Sequence, residues 1–311
     1  MQKTPLRWRG YWVASPTPFT QTGEIDFEGF EALIEKYISE GVHGIVVNGS
    51  TGEWFSQDES ERKLIAAFAA RVVRTRIPLI IGCTTFSAAN TLRLINNAAE
   101  SGADGAMVTI PPYIHPTNAE ILSFFRQVDK DSKLPLMVYN WPRGVTIDLD
   151  VDLLLEIAQL PNVACIKESS PDEDKTIEVL NKLLEQRTGI SFFGRFIHAS
   201  GMQKLLNVGG DGNIDGGGLG ARFAVPYFEA VWDRRITDAK RHSEAYEKLS
   251  SSLISSDYSG RYGSPISQLK AAMRMTDVSA GYVRPPLEDV YEEEKLLGIR
   301  AALISSKIEV K

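Results

Sequence analysis

Asn162-Val163-Ala164-Cys165-Ile166-Lys167-Glu168-Ser169-Ser170-Pro171 reads as a strand that hands over to a helix. The run from Val163 to Ile166 is apolar at successive positions, so both faces of the strand are covered, as in a parallel sheet with helices packed over it. Ser170 followed by Pro171 marks a helix start, because proline at the first helical position lacks only an N–H that would be unpaired there anyway. Outward from this segment the same hand-over recurs. Apolar runs lie near residues 11–14, 44–48, 79–83, 105–109, 136–139, 164–167, 191–194 and 212–214, with helical patterns between them. Parallel strands need crossover connections, and eight β/α units are the number that closes a barrel. The expected fold is α/β, a (β/α)8 TIM barrel. An open doubly wound sheet is the competing arrangement, but no break in the alternation shows where such a sheet would reverse.

Helix ends agree with this reading. Asp26 precedes the helical pattern of residues 27–40, which Gly41 closes, and Ser56-x-x-Glu59 and Thr117-x-x-Glu120 both fit the capping box. After residue 232 the strand signals stop. Helices are expected over residues 240–253, 264–275 and 287–303, with Ser256-Asp257-Tyr258-Ser259-Gly260 as a loop and Arg284-Pro285-Pro286-Leu287 forced into an extended stretch. The expected division is a catalytic barrel, residues 1–232, and a C-terminal helical domain, residues 233–311.

With 311 residues and 43% hydrophobic content, the chain can bury a large core. A net charge of -6 and the absence of a basic stripe exclude nucleic acid as an expected partner. Met1 to Arg9 offers no export leader, and no apolar run approaches the roughly 18 residues a membrane span needs, so a cytoplasmic protein without a membrane partner is expected. Cys83 and Cys165 lie far apart in apolar runs without C-x-x-C spacing and read as reduced packing residues. His43, His115, His198 and His242 are scattered without short-range pairing, so no metal site is expected.

The working face of such a barrel is the C-terminal end of its strands, and there the runs turn polar. Lys167 ends the sixth. An ordinary lysine is neutral in only about one molecule in 2,500 at pH 7, whereas a fall of roughly 3 pH units leaves more than a quarter as free amine, able to attack a ketone. The other reading is a strand-end lysine whose stem packs while its ammonium reaches water. Asn48-Gly49-Ser50-Thr51-Gly52-Glu53 follows the second run, where glycines let backbone amides approach a ligand and two hydroxyls supply donors; a plain tight turn has the same composition. Tyr139 ends the fifth run with Arg143 just beyond it, a phenol that could pass protons and a guanidinium that could clamp a carboxylate, or else a solvated pair. Gly194-Arg195 and Ile214-Asp215 end the last two runs, where Arg195 and Asp215 line the mouth or pair with each other. Gly216-Gly217-Gly218-Leu219-Gly220-Ala221 formally fits G-x-G-x-x-A, but it closes the last strand, whereas a dinucleotide fingerprint opens a sheet.

In this order and spacing, Gly49-Ser50-Thr51-Gly52-Glu53, Leu136-Met137-Val138-Tyr139-Asn140, Cys165-Ile166-Lys167-Glu168 and Arg284-Pro285-Pro286-Leu287 resemble the dihydrodipicolinate synthase and N-acetylneuraminate lyase family. The resemblance implies a barrel followed by a helical domain, a Schiff base between lysine and pyruvate or another 2-oxo acid, no cofactor, and a homotetramer. Carried over by position, Lys167 forms the imine, Tyr139 shuttles protons, Ser50 relays a proton, and Ser50 and Thr51, with Gly49 beside them, hold the 2-oxo acid carboxylate. Gly194 and Ile214 line the pocket. Three departures bear on the substrate. Pro112-Tyr113-Ile114-His115 stands where the synthases have paired tyrosines, so the phenol that reaches across a subunit interface is expected to be missing; Arg143 matches their distal arginine only after a one-residue shift; and Arg195 and Asp215 replace their usual residues. The expectation is a Schiff-base lyase, aldolase or dehydratase acting on a 2-oxo acid, with a sugar acid as the distal half. The alternatives are a true dihydrodipicolinate synthase condensing pyruvate with aspartate semialdehyde, a non-catalytic 2-oxo acid binding protein, and a nicotinamide-dependent dehydrogenase using the glycine run.

Overall fold

The computed structural model describes residues 8–186, 189–255 and 257–311. Eight parallel strands, β1 (Gly10–Ala14), β2 (Gly44–Val47), β3 (Leu79–Gly82), β4 (Gly105–Val108), β5 (Leu136–Asn140), β6 (Val163–Glu168), β7 (Ser191–Phe193) and β8 (Gly212–Gly216), pair in order and close, β8 onto β1. Between them run α1 (Phe27–Ser39), α2 (Glu59–Val73), α3 (Ala88–Ser101), α4 (Asn118–Asp131), the short α5 (Pro142–Val145), α6 (Val151–Ala158), α7 (Glu173–Glu185) and α8 (Ala199–Asn207). After β8 come α9 (Ala221–Trp232), α10 (Ile236–Leu253), α11 (Pro265–Arg274) and α12 (Glu293–Ser305). Among the described residues no helix is long and apolar enough to cross a membrane.

Strand residues divide by parity into two cores, as the pleat requires. Outward residues such as Val13, Ile45, Ile81, Val108, Val138 and Ile166 pack against the helices. Inward residues fill the barrel: Trp8, Trp12, Val46, Ile80, Met107, Met137, Tyr139, Cys165 and Phe193, with Ile214 packed against them. Trp12 is fully buried and takes so much of the interior that its neighbour in register, Gly44, has no room for a side chain; a Cβ there would lie 2.4 Å from the indole ring. A third apolar cluster joins α10, α11 and α12 through Leu249, Leu253, Ala272, Val290 and Leu303.

Three helix starts differ from the sequence expectation because a polar group has another partner, and α10 begins at Ile236, ahead of the expected residue 240. Asp58 and Glu61 form the capping box of α2, while the Ser56 hydroxyl donates to the Glu53 carbonyl at 3.0 Å within a 3-10 turn, Trp54–Ser56. Thr117 and Glu120 form the expected box. Ser170 donates to Asp148 at 2.7 Å, and Asp172 caps α7. The last helix begins at Glu293, not near residue 287, since Arg274 holds Asp289 at 2.7 Å and pins the preceding segment against α11. Of the loop expected at residues 256–260, Ser256 lies outside the described residues.

Candidate active site

Tyr139, Lys167 and Phe193 are partners in register on β5, β6 and β7, so all three point inward in one layer at the C-terminal mouth. Lys167 is 9% exposed, and its Nζ sits 3.7 Å from the centroid of the Tyr139 ring. Burial pulls its ammonium down from 10.5 to about 7, with Asp215 and then Cys165 acting the other way. Desolvation therefore outweighs nearby negative charge, and about half the amine is unprotonated at neutral pH. Tyr139 is also buried, which raises its phenol well above its usual range; a hydrogen bond with Ser169 opposes that rise. Trp141 stacks on Tyr139, ring centroids 5.7 Å apart, and extends the aromatic wall upward.

The Gly49–Gly52 turn stands across the mouth. Gly49 is buried, Ser50 and Thr51 are half-buried, and none of the side-chain hydrogen bonds among the described residues uses the Ser50 or Thr51 hydroxyl. The turn approaches β8 closely: a Cβ on Gly216 would lie 3.3 Å from Thr51 Oγ1. Two left-handed residues shape it, Asn48 at φ 56 and Glu53 at φ 57. Asn48 is fixed by its side chain, which donates to the Arg62 carbonyl at 2.8 Å. Glu53 is fixed by a fully buried ion pair with Lys270, whose ammonium also donates to the carbonyls of Thr17 at 2.7 Å and Tyr282 at 2.6 Å. The Arg284 amide donates to Glu53 as well, and its guanidinium grips Glu61 bidentately at 2.7 and 2.8 Å. Helix α11 and the segment after it thus hold the turn in place.

The remaining sequence candidates separate. Gly194 is buried beside β8, its amide donating to the Gly212 carbonyl at 3.0 Å, and Ile214 faces the interior. Asp215 does not face the mouth. It is in register with outward-facing Val13, accepts from Tyr11 at 3.4 Å and from the Gly216 amide at 2.7 Å, and hydrogen-bonds Tyr246 of α10. The two-residue period of the strand sends Ile214 in and Asp215 out, and no ion pair joins Asp215 to Arg195 among the described residues. Burial raises the Asp215 carboxyl; its charge still reaches Lys167 through the barrel wall. Arg143 and Arg195 are exposed at the rim. The glycine run is a packed turn: a Cβ on Gly217 or Gly218 would lie within 2.9 Å of Leu269 or Tyr37. In a closed barrel it has none of the open-sheet context a dinucleotide fingerprint requires.

Comparison with known proteins decides the family. The sequence matches the Dihydrodipicolinate synthetase family over residues 7–303. The chain belongs to that family. Its members are lyases, and this chain is one of them. An uncharacterized DapA-like lyase of Rhizobium meliloti is 30% identical over 280 residues, 90% of each chain. A 4-hydroxy-tetrahydrodipicolinate synthase of Methanoculleus marisnigri is 29% identical over 297 residues, 93% of this chain and 96% of that one. The structure of YagE, a prophage protein of the dihydrodipicolinic acid synthase family from E. coli K12, in complex with pyruvate, superposes with a TM-score of 0.87 at 26% identity, covering 97% of this chain and 99% of that one.

Several contacts that shape this family member's mouth were silent in the sequence. Asn140 donates to both Glu168 oxygens, at 2.8 and 3.0 Å, and to Asp148 at 2.7 Å, with Lys175 closing the network at the C-terminal ends of β5 and β6. Tyr258, in the loop between α10 and α11, reaches Arg195. Neither partnership has a local signal, because each joins residues 7 to 63 positions apart. Tyr113 is 91% exposed with φ 80, a left-handed conformation that a bulky residue rarely adopts.

Proposed function

We propose that this family member forms a Schiff base between Lys167 and pyruvate or another 2-oxo acid, and makes or breaks a bond at the carbon next to the imine. The observation that carries the reading is a lysine buried at the barrel mouth, drawn down to about 7, with a phenol ring 3.7 Å away. A neutral amine adds to the keto carbon and water leaves. The resulting iminium draws electrons from the neighbouring carbon, so that a proton, or in a cleavage the aldehyde half, is lost there and an enamine forms; in a dehydration the enamine then expels hydroxide from the next carbon. Tyr139 is the group to donate a proton, to the keto oxygen that leaves as water or to the enamine carbon, since burial keeps its phenol protonated at neutral pH. Ser50 and Thr51, with the amides around Gly49, hold the 2-oxo acid carboxylate, and Ser50 relays a proton. Gly194 and Ile214 line the pocket with backbone groups, and Arg143 and Arg195 stand at the distal end. The pyruvate complex of the E. coli relative supports the choice of ligand.

In this reading the chain is a cofactor-independent lyase whose barrel, residues 1–232, carries the chemistry and whose helices, residues 233–311, brace it. We further infer a homotetramer. Phe55, Phe86, Tyr113 and Ile114, on the loops after β2, β3 and β4, are 42%, 67%, 91% and 49% exposed, apolar area that a second subunit would cover. Ile114 stands in the second place of the synthases' tyrosine pair, so the phenol that crosses a subunit interface is missing from the relay, and Tyr113, exposed and left-handed, fills the first place. Two free, buried cysteines fit the reducing cytoplasm.

Assay of a panel of sugar-derived 2-oxo acids for pyruvate release, alongside condensation of pyruvate with aspartate semialdehyde, tests the activity. Release from a panel member is the expected result. Turnover confined to the semialdehyde would make the chain a 4-hydroxy-tetrahydrodipicolinate synthase, as its Methanoculleus marisnigri relative is named. Ligand-induced thermal stabilisation without product from any substrate would make it a 2-oxo acid binding protein.

A further inference from the structure

Two arginines stand at the rim of the mouth, and one short turn between α10 and α11 faces both. Hydrogen bonds from Ser259 lower the Asp257 carboxyl of that turn, and Arg143 lies near enough to add to the effect. Tyr258, next in the chain, takes Arg195: the guanidinium carbon lies 4.7 Å from the centre of the phenol ring, and Nη1 donates to the hydroxyl. Tyr258 also holds a left-handed conformation, φ 64, and lies close enough to Tyr139 to disfavour ionisation of that phenol. The Arg195–Tyr258 pair therefore sits above the same wall of the pocket as Lys167 and Tyr139.

Glu173 feels the Arg195 charge but is held by Lys204 at 2.8 Å, and among the described residues no carboxylate lies within ion-pair distance of Arg195. Nη1 is the guanidinium nitrogen whose hydrogen bond is spent, on the Tyr258 hydroxyl. The Nε and Nη2 edge remains, which is the edge that grips a carboxylate side-on, as Arg93 grips Glu59 elsewhere in this chain at 3.4 and 3.0 Å. The Tyr258 hydroxyl, accepting from Arg195, keeps its own proton to donate toward the same anion. The floor below offers no competing cation besides Lys167, because the interior layer is Trp12, Phe193 and Ile214.

We propose that Arg195, presented by Tyr258, selects substrates that carry a second carboxylate at the end distal to the keto group. This rests on the reading of Lys167 as the imine-forming amine. The 2-oxo acid's own carboxylate goes to the Ser50–Thr51 turn, its keto carbon to Lys167, and the far carboxylate to the Nε and Nη2 edge, so the preferred substrate is dianionic.

Two pairs of probes test it, 2-oxoglutarate against 2-oxopentanoate and 2-oxoadipate against 2-oxohexanoate, each trapped with borohydride. The Lys167 amine displaces the keto oxygen as water, and hydride reduces the iminium to a stable secondary amine. In at least one pair the wild type should reach half-trapping at about 10- to 100-fold lower concentration with the diacid, the range expected of a bidentate charge-assisted pair. Arg195→Ala should bring the two members together, Arg195→Lys should leave an intermediate preference, and Tyr258→Phe, which keeps the ring under the guanidinium but removes the acceptor, should narrow it. A wild type that is trapped by pyruvate yet treats both members of both pairs alike overturns the proposal, as does an Arg195→Ala variant that keeps the preference. A wild type that is never trapped by pyruvate removes the imine reading itself, and this inference with it.

Discussion

Replacing Lys167 with methionine should make the protein more stable at neutral pH, although it removes the proposed nucleophile. Methionine has similar length and flexibility and needs no solvation. A fall in lysine pKa from 10.5 to about 7 means that holding the charged form in the barrel costs about 5 kcal/mol, at about 1.4 kcal/mol for each tenfold change in proton affinity. Above pH 10.5 the amine is neutral folded or unfolded and costs nothing. Below about 7 it is charged in both states and the folded chain bears the whole penalty, so wild-type stability rises as pH rises between those limits. At pH 7 nearly all of the penalty is present, and relaxation and lost packing reduce the net gain to about 3–5 kcal/mol, or a rise in Tm of roughly 5–10 °C for a chain of this size. Thermal melts of wild type and Lys167→Met at pH 7 and near pH 10.5 read it. The gap should be large at the first and nearly closed at the second. A variant that melts at or below the wild type at pH 7, or a gap independent of pH, would refute the claim that desolvation governs this amine.

Other outcomes follow from the same geometry. Glu53→Gln leaves the Lys270 ammonium buried without its carboxylate and should cost about 3–5 kcal/mol, seen as a lower Tm; an unchanged Tm would mean that the pair does not brace the turn. Tyr139→Phe should still form the pyruvate adduct but lose about 10²- to 10⁴-fold in turnover, and full activity would exclude the phenol from proton transfer. Asp215→Asn removes the negative charge that holds the Lys167 amine up, so the acid limb of the pH profile for adduct formation should move to lower pH; a shift upward or none would contradict that coupling.

The barrel was legible because its signals are local. Each β/α unit announces itself by an apolar run and a cap, as Asp26 does for α1 and Thr117 for α4, and the observed strands begin and end within two residues of the expected runs. Lys167 and Tyr139 were legible as strand-end polar residues in apolar runs, and their register, Tyr139 opposite Lys167, follows from closure. Asp215 shows where such reading stops. Being at a strand end does not fix the face; the alternation Asn213-Ile214-Asp215 does, since neighbours on a strand point opposite ways and Ile214 and Asp215 cannot both line the mouth. The Ser56 box and the start at residue 287 failed for a related reason: each local pattern was sound, but a partner elsewhere, the Glu53 carbonyl or Arg274, took the group first. Tyr258 and Lys270 act across more than 60 and 200 positions, respectively, and pairings over such separations leave no trace in spacing.

The most direct test of the imine is to incubate the wild type with pyruvate, reduce with borohydride, and map the modified peptide by mass spectrometry. A single covalent pyruvate adduct on Lys167, absent from Lys167→Ala and absent without reductant after denaturation, is the predicted result. No adduct, or an adduct that persists in Lys167→Ala, would contradict it.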